Sequence, residues 1–154
     1  MFDTVVVATD GSESVTRAIR VATDLAARFN ATVHALYVID DDEVGSSPES
    51  VREDLRNALD EHGSRALEDV IDLAEERDDE LDVTTEVREG RPADEIIEYA
   101  RSLDADVVVT GTRGRHGENR FLIGSVAERI VRTCPVPVLT VRRLTTENPR
   151  RVTV

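Results

Sequence analysis

The sequence contains no lysine: all 19 of its basic residues are arginines. That absence excludes several chemistries at once. A P-loop needs the lysine of its Gly-Lys-Ser/Thr to reach the terminal phosphates of a nucleotide. Schiff-base catalysis needs a lysine amine, and a phosphorylated receiver domain needs one beside its aspartate. Aromatic residues are nearly as scarce, with three Phe and two Tyr, so the core must be built from Val, Ile, Leu and Ala. One cysteine, Cys134, permits no intrachain disulfide and predicts a reducing, cytoplasmic setting. No apolar run approaches the ~20 residues of a membrane span, and the opening MFDTVVVATD lacks the basic start of a signal peptide.

What is present is mostly acid. The 154 residues carry 32 acidic side chains, for a formal net charge of −13. This excess, with arginine replacing lysine, predicts a halophilic protein in a salt-rich cytoplasm, where like-charge repulsion is screened. It argues against nonspecific nucleic-acid binding. The charge is uneven: residues 1–112 balance to −19 and residues 113–154 to +6. The basic segment is either a tail, with Arg142, Arg143, Arg150 and Arg151, or an anion site near Arg113, Arg115 and Arg120. The length predicts one domain, able to bury ~70% of its unfolded surface. We place that domain at residues 1–143, followed by a polar tail at 144–154.

The periodicities alternate between strand and helix. Thr4 to Ala8 is a continuous apolar run, the pattern of a strand buried on both faces. After a turn at Thr9-Asp10-Gly11-Ser12, Val15, Ala18, Ile19, Ala22, Leu25, Ala26 and Phe29 fall at helical spacing. A strand is expected from Thr32 to Ile39, then a polar loop from Asp40 to Pro48. Ser50-Val51-Arg52-Glu53 fits a capping box opening a helix to about Arg77, with Gly63 a candidate kink. Leu81 to Val87 alternates as a strand. Gly90-Arg91-Pro92 starts a helix with proline in its first turn, buried through Ala93, Ile96, Ile97 and Ala100. Asp106 to Thr110 is a fourth strand. A glycine-rich loop runs from Gly111 to Leu122. Ile123, Val126, Ala127, Ile130 and Val131 mark the last of four long helices, and Val136 to Val141 a fifth strand.

Helices between successive strands imply right-handed crossovers and a single doubly wound, five-stranded parallel sheet. Such α/β sheets take ligands beyond the carboxyl ends of their strands, where the strand order reverses. The loops after strands one and four therefore carry the chemistry. In the first, Asp10 is either a turn residue or a carboxylate able to meet a ribose, an adenine amine or a cation. In the second, Gly111 and Gly114 can form an anion nest of backbone N–H groups. Gly124-Ser125 opens a helix whose free N–H groups favour negative charge. Ser125-Val126-Ala127-Glu128 also reads as a capping box, which would occupy the Ser125 hydroxyl.

Taken together, the pattern is Gly111, two residues, Gly114, nine residues, then Gly124-Ser125, after an apolar strand and before a helix. This resembles the nucleotide-binding signature of the universal stress protein family, in its ATP-binding branch. The resemblance extends over nearly the whole chain. It includes Thr9-Asp10-Gly11-Ser12, Val38-Ile39-Asp40, Gly90-Arg91-Pro92 and the closing Cys134-Pro135-Val136-Pro137-Val138-Leu139-Thr140-Val141. It implies a Rossmann-like strand order of 3-2-1-4-5 with ATP, or AMP or ADP, at the switch point and Mg2+ as an optional companion. By motif position, Ala8, Thr9 and Asp10 would border the adenosine and Val38 would lie against adenine. Thr110, Gly111, Arg113 and Gly114 would line the ribose and first phosphates. Gly124, Ser125 and Val126 would hold the outer phosphates by their N–H groups. Many members of the branch have proline where this chain has Ala8, and a small residue still leaves room for adenine.

His34, His62 and His116 stand apart, without a second ligand at metal spacing, so no metal site of their own is expected. Cys134 reads as a buried structural thiol. The last strand, with Val136, Val138, Leu139 and Val141, is an apolar edge that needs cover. The resemblance agrees with a homodimer through this strand. Three functions compete: an ATP-binding regulatory dimer read by a partner protein, a slow ATPase or phosphotransferase, and a nucleotide-free structural dimer. The loops hold no evident base, which favours the binder over the enzyme.

Overall fold

The computed structural model describes residues 2–113 and 123–144. Five parallel strands form one sheet in the order β3-β2-β1-β4-β5: β1 (Thr4–Ala8), β2 (Thr32–Asp40), β3 (Val83–Gly90), β4 (Val107–Gly111) and β5 (Val138–Val141). Helices α1 (Thr16–Phe29) and α3 (Arg52–Arg77) cover one face, and α4 (Pro92–Ser102) and α5 (Ser125–Thr133) the other. The twofold period of a strand explains why β1 must be apolar throughout. Val5 and Val7 enter the core beneath α1 and α3, while Val6 and Ala8 enter the core beneath α4 and α5. Val107 and Val109 split from Val108 in the same way.

Several local expectations are corrected. A fifth helix, α2 (Asp41–Gly45), occupies the segment expected as loop. Asp40 caps it by accepting the Asp42 N–H at 3.0 Å, and Val44 is buried beneath it. The Ser50 capping box does not form. A 3-10 turn at Glu49–Val51 leads into α3, whose N-cap is Val51 with no side-chain cap. Gly63 does not break α3; the helix runs unbroken past it, and the Tyr37 ring packs where a side chain would stand. β3 starts two residues later than expected and ends three later, because it pairs with β2 as far as Asp40 opposite Gly90. β5 begins at Val138, since the Pro137 carbonyl already accepts the Val108 N–H as the strand starts.

Burial also departs from periodicity at the periphery. Phe29, Ile123 and Val131 are exposed, although Phe29 keeps an edge-on contact with Phe2 at 5.1 Å. On β5, Val141 is buried in the core beneath α1 and α3, Val138 is half-buried and Leu139 is exposed, while Val136, just before the strand, is half-buried. Cys134 is half-buried against the α4–α5 core. Among the described residues, no helix is long and apolar enough to cross a membrane.

Candidate functional site

Where the order of the sheet reverses, β1 and β4 lie side by side and their crossovers leave on opposite faces. The gap beyond their carboxyl ends is a cleft of about 240 Å3. Ala8, Thr9, Asp10, Val38, Thr110, Gly111, Arg113, Gly124, Ser125 and Val126 all line it, coming from four separate stretches of chain. Gly114, Arg115, His116 and Arg120 lie outside the described residues. Val15, Leu36, Asp40, Pro92, Ile96, Thr112 and Ala127 also line the cleft and were not anticipated. Leu36 reaches the cleft because it pairs with Ala8, the last residue of β1, in the parallel ladder, four residues before β2 itself ends.

The β1 loop is a tight, hydrogen-bonded turn. The Thr9 hydroxyl oxygen accepts the Gly11 N–H at 3.1 Å. Asp10 Oδ1 accepts both the Ser12 N–H, at 2.9 Å, and the Ser12 hydroxyl, at 2.6 Å. The turn-forming role of Asp10 is therefore realised, and the residue is also part of the cleft lining. Gly11 sits at φ +80°, a left-handed angle that favours glycine.

The opposite wall differs from its sequence reading in two details. Gly111 is the last residue of β4, paired with Val141 in extended geometry, so it does not supply the left-handed turn of an anion nest. Ser125 does not cap α5; the N-cap is Gly124, at φ −69° and ψ 159°, and no side chain caps the helix. The Gly124 N–H itself is taken by the Thr112 carbonyl at 2.5 Å. What the helix turns toward the cleft is its first turn, Ser125, Val126 and Ala127, whose N–H groups have no carbonyl four residues back within the helix. With the helix dipole behind them they form an electropositive end. In the same cleft, Ala8, Leu36, Val38 and Ile96 supply apolar surface. The cleft therefore combines apolar surface with backbone N–H donors.

His34 and His62 sit in different surroundings. His34 lies on β2 with Nδ1 3.5 Å from the Tyr99 hydroxyl, and burial holds its pKa below the usual imidazole value. His62 reaches the β1 loop, with Nε2 3.1 Å from the Asp10 carbonyl. The carboxylates of Asp40, Asp41 and Asp42 converge within 4.8 Å beside the cleft.

Fold and cleft together define a doubly wound α/β protein with an open cleft at its topological switch point. Within that class, the chain belongs to the universal stress protein family, which it matches over residues 1–142. It is 40% identical over 144 residues to a universal stress protein of Methanocaldococcus jannaschii, a match covering 93% of this chain and 84% of that one. Among solved structures, the hypothetical protein MJ0577 superposes with a TM-score of 0.82 at 27% identity, covering 95% of this chain and 99% of the other. A universal stress protein crystallised in complex with cAMP superposes with a TM-score of 0.69 at 28% identity, covering 92% and 97%.

Proposed function

We propose that this universal stress protein binds an adenine nucleotide, ATP or its ADP and AMP forms, in the β1–β4 cleft, and that the bound form acts as a regulatory homodimer read by a partner protein. The observation that carries the reading is the mixed lining of the cleft. An apolar surface at Ala8, Leu36, Val38 and Ile96 suits a base, and the N–H groups of Ser125, Val126 and Ala127 suit phosphates without any lysine. The cAMP complex of a 28% identical relative supports the choice of adenine. The proposed contacts are Ala8, Thr9, Asp10 and Val38 around the adenosine, Thr110, Gly111, Arg113 and Gly114 along the ribose and first phosphates, and Gly124, Ser125 and Val126 at the outer phosphates.

Purified protein, denatured and chromatographed, is expected to release adenine nucleotide, and titration with ATP, with and without Mg2+, gives its affinity. Gly124→Val is the decisive variant. The backbone angles of Gly124 suit valine, so the fold is expected to hold while the added side chain crowds the cleft lining. Affinity is expected to fall more than about tenfold, or ~1.4 kcal/mol. Undiminished binding would refute the proposed phosphate position.

For the dimer, β5 is an edge strand with Leu139 exposed at 38%. Pairing two such edges would cover it. Leu139→Asp is expected to turn a sedimenting dimer into a monomer at high salt; a wild-type monomer under the same conditions rules the dimer out.

A further inference from the structure

We propose that His62, on α3, is the positioning residue of the β1 loop in the nucleotide site, an inference that rests on the adenine-nucleotide reading above. Its Nε2 lies 3.1 Å from the Asp10 carbonyl oxygen, across 52 residues of sequence. A carbonyl can only accept, so the imidazole carries its proton on Nε2 and donates it. The ring lies directly beneath the turn: a Cβ built on Gly11 would stand 2.6 Å from Nε2 and 3.0 Å from Cε1. The left-handed Gly11, at φ +80°, is thus required by the approach of His62 as well as by the turn itself. On its other side the ring meets Tyr37 edge-on, with centroids 5.7 Å apart and planes at 68°. Tyr37 is buried to 1% exposure and packed against Gly63 of the same helix.

The imidazole is therefore held between a core aromatic ring and the loop that borders the cleft. The bonds from Gly11 to Thr9 and from Ser12 to Asp10 are local. They shape the turn, whereas the His62 bond fixes its height and tilt relative to α3. With its carbonyl pinned downward, Asp10 presents its other groups along the cleft wall. A loop fixed before the ligand arrives spares the ordering entropy of binding. His62 touches no ligand position itself, so its role is positioning.

The test uses two amides of different reach on the full chain. The Gln side-chain nitrogen falls near the Nε2 position of histidine and retains the donor, whereas the Asn nitrogen falls near Nδ1 and does not reach. His62→Asn is expected to weaken ATP binding about tenfold, the loss of one hydrogen bond. His62→Gln should bind like the wild type. In nucleotide-free protein, exchange of the Gly11 and Ser12 amides should accelerate in His62→Asn and stay slow in His62→Gln. Equal, wild-type affinity in both variants would overturn the proposal. So would equal weakening in both, since that would assign the effect to the ring's packing. Unchanged exchange in His62→Asn overturns it with or without nucleotide. A wild-type protein that binds no adenine nucleotide, while exchange still responds, brings down the proposed ligand and with it His62's part in that site. The exchange data distinguish the two failures.

Discussion

Asp106 shows how a single half-buried side chain can join two distant parts of the chain. It stands just before β4, and its Oδ2 accepts the N–H groups of Thr4 at 2.9 Å and Asp3 at 2.7 Å. Those two bonds, that of Thr4 first, hold its carboxyl below the ordinary carboxylate value. A carboxylate lowered on folding contributes stability that is full above its unfolded pKa and is lost as pH falls through the folded one. Asp106→Ala is accordingly expected to destabilise the protein by about 1 kcal/mol at neutral pH. Urea melts should show the gap to wild type closing in acid; a gap that persists there would contradict the assignment. Asp10 had two readings in the sequence, and the turn it makes with Ser12 was legible because such bonds are local. Its bond to His62 was not, since 52 intervening residues leave no periodic trace.

At the scale of elements, α3 sets two known tendencies against each other at Gly63. Replacing a helical glycine by alanine ordinarily gains ~1 kcal/mol. Here the new Cβ would stand 2.5 Å from Cδ1 of Tyr37, a ring buried in the core with nowhere to retreat. Overpacking costs ~1–3 kcal/mol, so it outweighs the propensity gain. Gly63→Ala is expected to lower stability by about 1 kcal/mol in chemical denaturation, and a stabilised variant would show that the ring can move. The sequence reading treated this glycine as a weak point in a helix, because propensity was all it could weigh. The same limit explains the two capping boxes. Ser50 and Ser125 sit in the right pattern, but α3 begins through a 3-10 turn and the α5 cap falls at Gly124, whose N–H is held by Thr112. Helix starts are decided by where the incoming chain can be anchored, and that is a tertiary matter.

For the whole molecule, charge is the dominant property. With a net charge of −13, repulsion opposes the compact state. Most of the ion pairs among the described residues, such as Arg28 with Asp24 at 3.3 Å, are exposed and contribute little each. Salt should therefore screen more repulsion than attraction, as the Debye length shrinks from ~10 Å at 0.1 M to ~3 Å at 1 M. The melting temperature is expected to rise by several degrees between low salt and molar KCl, in line with a proposed halophilic origin; a flat or falling trend would count against it.

The sequence by itself determined the alternation of strands and helices, because a strand covered on both faces must be apolar at every position and an amphipathic helix must repeat every three or four. It also determined that phosphate recognition here can depend on no lysine amine. Its glycine spacing pointed to Gly111, Gly124 and Ser125 as neighbours of one cleft. Only the tertiary structure decided which backbone groups remain available there. Gly111 is committed to the ladder with β5 and the Gly124 N–H to Thr112, which leaves the first turn of α5 as the donor surface. It also brought His62 beneath the Asp10 turn. Those outcomes depend on contacts between residues far apart in the chain, and such contacts arise from how layers pack rather than from any local repeat.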